Sequence, residues 1–78
     1  MDDYQLTQTL RSVGMEVFET FYDHFADGRL TNQQVVAFLI ERRGYAEPAT
    51  QSRVASARTI IRAGRGPDAL SLCARRTR

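Results

Sequence analysis

Arg58, Arg62 and Arg65 recur at steps of four and three, the spacing that lines side chains along one stripe of a helix, and Arg53 precedes them. Guanidinium groups in such a row are suited to bidentate contacts with phosphate or carboxylate and to stacking on rings. That is the chemistry of recognition, not of bond making. His24 is the single histidine; Asp23 adjoins it and Asp27 lies one turn on. Two or three ligands on one helix do not close a metal site, so a solvated helix face is expected there. Elsewhere there is no nucleophile next to a base, no CxxC pair and no glycine-rich phosphate loop. Gly64-Arg65-Gly66 reads as a helix-to-helix turn. No enzyme, metal centre or cofactor is expected. Cys73, with Leu70 and Leu72 near it, reads either as a small buried hydrophobe or as a surface thiol at a homodimer seam.

The charges are segregated along the chain. Residues 1–27 hold six acids and one arginine, a net of −5. Residues 28–78 hold ten arginines and three acids, a net of +7. All eleven basic residues are arginine and none is lysine. The expectation is a molecule with an acidic end and a basic end, the arginines forming a coherent ridge. Such a surface speaks of partners rather than of fold.

Seventy-eight residues, 42% of them hydrophobic, make a single domain that folds around one small core. A lone cysteine closes no disulfide within the chain and suits a reducing cytosol. The start, Met-Asp-Asp-Tyr, has neither the basic nor the apolar character of a signal peptide. The longest unbroken apolar run, Val35–Ile40, falls far short of the ~20 residues a membrane span needs. A cytoplasmic protein without a membrane segment is expected.

The elements that position the arginines are all helical. Leu6, Leu10, Val13, Val17, Phe21 and Phe25 recur at steps of four and three, so 3–27 reads as two helices or one kinked at Gly14. Asp2 and Asp3 suit its start, and Gly28 its stop. Thr31 and Gln34 form a capping box that opens a central helix over 32–43, closed by Gly44. Its run of six apolar residues covers every side, which places it centrally or against another molecule. A basic helix over 48–63 follows, with Val54, Ala57 and Ile61 inward. A short last helix over 67–75 leads into a basic tail, 75–78. The fold class is all-α, a compact bundle of four to five short helices with a helix-turn-helix-like pair.

The stretch Gly44-Tyr45-Ala46-Glu47-Pro48-Ala49-Thr50-Gln51-Ser52-Arg53-Val54-Ala55-Ser56-Ala57-Arg58 resembles the turn and recognition helix of the last region of bacterial sigma factors. Gly44, Ser52-Arg53-Val54 and Ala57-Arg58 match at that family's spacing. The resemblance implies that Gln51, Ser52 and Arg53 face the major groove of duplex DNA and that Arg58 and Arg62 face phosphates. The chain departs from the family before the turn, where Arg43, preceded by Arg42, stands at the apolar slot and Ile40 where a small residue belongs, and after it, where Thr50 stands at an apolar slot of the second helix.

Small size, opposite charge poles and the lack of a catalytic set also resemble the anti-CRISPR class of phage and mobile-element inhibitors, in character and not in any motif. That resemblance implies a protein that docks on a protein or nucleoprotein complex and blocks it sterically. This is the preferred expectation. A dimeric helix-turn-helix regulator is the alternative, and a self-assembling module the third. Under the first two, Arg53, Arg58, Arg62 and Arg65 are the expected contact residues.

Overall fold

A computed structural model describes residues 1–76 and shows an all-α protein of six helices among them, measuring 29 × 25 × 19 Å. The first, α1 (Asp3–Val13), begins with a reciprocal cap: Asp2 Oδ1 accepts the Gln5 amide at 2.7 Å, and the Gln5 side chain accepts the Asp2 amide at 3.2 Å. It ends at Gly14, whose φ of +94° favours glycine. The segment expected to hold at most two helices holds three, because a second break occurs at Phe21 between α2 (Met15–Thr20) and α3 (Tyr22–Ala26). No glycine or proline marks that break. Turning there accompanies burial of Val17, Phe18, Phe21 and Phe25 together, with Phe18 stacked on Phe25 at 6.1 Å and edge-on to Tyr22 at 5.5 Å.

Helix α4 (Asn32–Arg43) starts at the Thr31–Gln34 box, with distances of 3.1 and 2.8 Å, and ends at Gly44 in the left-handed conformation. Of its apolar run, Val35, Val36 and Leu39 are buried, Phe38 and Ile40 partly so, and Ala37 faces solvent. A three-residue link, 44–46, leads to α5 (Glu47–Arg62), and Gly64 with φ +74° turns the chain into α6 (Gly66–Arg76). Arg75 and Arg76 extend α6; the rest of the expected basic tail lies outside the described residues.

The helix at the centre is α5, not α4: it packs against α1, α3, α4 and α6. The reason is its inward face, Thr50, Val54, Ala57 and Ile60, all buried and mostly small, which lets several neighbours approach. Ile61, expected inward, is only half-buried, and Ile60 takes the core position. Thr50, the one polar residue buried among those described, directs Oγ1 to the Ala46 carbonyl at 2.8 Å and so carries no unmet donor.

Candidate functional site: the outer face of α4 and α5

The arginine ridge does not form. Arg53 crosses to the end of α1, where Nη1 donates to the Val13 carbonyl at 2.6 Å, and its guanidinium lies 4.8 Å from the Tyr45 ring centroid. Arg58 does the same at the end of α3, where Nη2 donates to the carbonyls of Asp27 at 3.2 Å and His24 at 3.5 Å. The last carbonyls of a helix lack intrahelical donors and carry the negative end of its dipole, so a guanidinium supplies both hydrogen bonds and charge. Arg65 bonds Asp3 at 2.6 Å, Asp68 at 2.7 Å and the Met1 carbonyl. Arg43 forms a bidentate pair with Glu16 at 2.8 and 2.9 Å over the face of Phe21, and Arg29 closes onto Asp27 at 3.0 Å. The basic half of the sequence is thus folded onto the acidic half, and opposite charges that were separate in sequence meet inside one molecule.

These pairs leave a trace on the titrating groups. The Arg29 side chain, then its backbone amide, hold the Asp27 carboxyl at about 2, below the usual carboxylate range. Hydrogen bonding to Glu16 raises the pKa of Arg43, and the bonds to Asp3 and Asp68 raise that of Arg65.

His24 is not on a solvated face as expected. Its ring stacks on Phe38 at 3.9 Å and is half-buried, while the Asp27 carboxylate turns to Arg29 and away from any joint site with His24. Among the described residues no cluster of three His, Cys, Asp or Glu could hold a metal ion, and no helix is long and apolar enough to cross a membrane. Cys73 is fully buried with Sγ directed at the Met15 carbonyl, 3.4 Å away, so it does not present a thiol at a surface seam. Leu70 and Leu72 are half-buried and pack on the core.

One side of α4 and α5 faces outward. Gln51, Ser52, Ala55, Thr59 and Arg62 are exposed along α5. A groove of about 480 Å³ runs between the helices, floored by Val36 and Ala37 and rimmed by Asn32, Gln33, Gln51 and Glu47. A second pocket of about 250 Å³, with Phe25, Ile61, Arg58 and Arg62 in its wall, shares Asn32 with the first. Of the sequence-picked residues, Gln51, Ser52 and Arg62 lie on this side; Arg53 and Arg65 are committed elsewhere. Sequence reading passed over Asn32, Gln33 and Ala37; the one available signal was Ala37, the smallest member of the apolar run.

No known family model, curated protein or solved structure matches this chain.

Proposed function

We propose that the outer face of α4 and α5 is a docking surface and that the protein is a non-enzymatic interaction protein, covering part of a protein or nucleoprotein partner and blocking access to it. The observation that carries this reading is the composition of the groove. Neutral hydrogen-bonding side chains and one carboxylate, Glu47, surround a small apolar floor, and no guanidinium lines it. An apolar centre within a polar rim is the make-up of a protein interface.

A second reading has its own observation. Gly44 in the left-handed turn, with Thr50, Val54 and Ala57 buried and Gln51 and Ser52 outward, supports a helix-turn-helix reading in which α5 enters a major groove. Magnitudes decide against it as the first choice. DNA readers rely on roughly six to ten phosphate contacts for their affinity. On α4 and α5, Arg42 and Arg62 are the exposed guanidiniums without an acidic partner among the described residues. Two contacts give a salt slope of only about two.

The test has two arms. A fluorescent random duplex is titrated by anisotropy across a salt series, and a photo-crosslinking residue is placed at Ala55 or, as a control on α1, at Gln8. The expected result is weak duplex binding with a slope of about two or less, and a discrete protein adduct from position 55 in source-cell lysate but not from position 8. A slope of roughly six or more, with no adduct, transfers the function to the DNA-reading alternative.

A further inference from the structure

The pocket beside α3 and the second half of α5 has a different character from the groove. Its wall combines Phe25, Ala26 and Ile61 with the guanidinium-bearing Arg58 and Arg62, and no acidic side chain lines it. Asp27, whose charge Arg58 also feels, turns its carboxylate to Arg29. Arg58 uses Nη2 on carbonyls, and its Nε–H lies buried with no acceptor. Arg62 is exposed, with Nε on the Arg58 carbonyl at 3.4 Å, a long contact that leaves its terminal nitrogens available. Two cations over an apolar wall that holds no acidic side chain of its own favour a ligand that brings negative charge and an apolar group together.

We propose that this pocket binds the C-terminal carboxylate of a partner polypeptide whose last side chain is apolar and of about leucine size. At a chain end the carboxylate and the side chain leave the same Cα, so one residue supplies both features within about 250 Å³. An internal acidic residue brings the charge without the apolar group, and a phosphate brings no apolar group at all. Capture of a terminal carboxylate is a recurring mode of peptide recognition. The identity of the occupant as part of a protein partner rests on the docking reading above; Asn32, which lines both cavities, joins the two sites.

The experiment is an amide NMR titration of the whole chain with three probes: N-acetyl-leucine, N-acetyl-leucinamide and inorganic phosphate. Wild type is compared with Arg62→Gln, chosen because Arg62 is exposed and supports no other helix. N-acetyl-leucine is expected to shift Phe25, Gly28 and Ile61 saturably, with a Kd on the order of millimolar. The uncharged amide should produce no saturable shift, phosphate should bind more weakly than N-acetyl-leucine, and Arg62→Gln should weaken N-acetyl-leucine at least about tenfold, the equivalent of a charge-assisted hydrogen bond. Equal binding of the amide, tighter binding of phosphate, or indifference to Arg62→Gln overturns the assignment. The docking reading is scored separately by the crosslink from position 55. An adduct at 55 without N-acetyl-leucine binding removes the pocket and keeps the face; N-acetyl-leucine binding without an adduct does the reverse.

Discussion

Arg53 reaches across forty positions of sequence to the Val13 carbonyl, joining the first turn and a half of α5 to the last residue of α1 at 2.6 Å. Its stem leaves α5 on the side away from the exposed face, and the Tyr45 ring covers the guanidinium. A side chain so placed acts on stability. Arg53→Ala is expected to lower unfolding free energy by about 1–3 kcal/mol, the range for a hydrogen bond to a charged group reduced somewhat by partial exposure. Urea denaturation with an unchanged m-value checks it, and Arg53→Lys should recover less than half of the loss because an amine cannot both bond the carbonyl and stack on Tyr45.

Gly14 is bound into the same arrangement. A Cβ built there stands 2.9 Å from Arg53 Nη1, on a backbone with φ +94°. Gly14→Ala therefore combines strained backbone with a displaced guanidinium and is expected to destabilise by ~1–3 kcal/mol. In the Arg53→Ala background the added cost should shrink, which a double-mutant cycle measures directly.

Gly66, buried at the start of α6, is closed off by Tyr22. A Cβ there collides with the Tyr22 hydroxyl oxygen and sits 3.2 Å from two ring carbons. Gly66→Ala should cost about 1–3 kcal/mol, and Tyr22→Phe should relieve part of it by removing the oxygen. Additive effects of the two substitutions would show that the collision is not the cause.

The Arg29–Asp27 pair sets an acid limit. Asp27 has its folded pKa lowered to about 2, below that of an unfolded aspartate near ~3.9. Its contribution is complete above the unfolded value and disappears as pH falls through the folded one. Thermal melting followed from pH 5 to pH 2 should show a decline below about pH 4 that is smaller in Asp27→Asn. Identical acid profiles would contradict the pairing.

Cys73 should be inert in the native state. A thiol reagent is expected to modify it only when urea or heat opens the domain, and wild type and Cys73→Ser should run alike on non-reducing gels. Rapid native modification would require a different packing of α6 on α2.

The capping pair Thr31–Gln34 and the glycine stops at 14, 44 and 64 were readable because each is a local rule enforced within four residues. The break at Phe21 was not, because tertiary burial of four apolar residues produces it without a turn residue. The placement of the arginines was not legible for a related reason. A stripe of arginines on a helical wheel shows spacing but not depth, and the carbonyls that receive Arg53 and Arg58 lie more than thirty positions away. Sequence polarity was read as surface polarity, whereas folding brings the two charge blocks into mutual contact.

Because two guanidiniums plug the carbonyl ends of α1 and α3, the electrostatic field of the protein is not freely adjustable. Among the arginines, retuning it for crystallisation or solubility is left to Arg11, Arg42 and Arg75, which are exposed, lack an acidic partner among the described residues and line neither the groove nor the pocket beside α3. Isoelectric engineering at Arg53 or Arg58 instead removes a splint between helices.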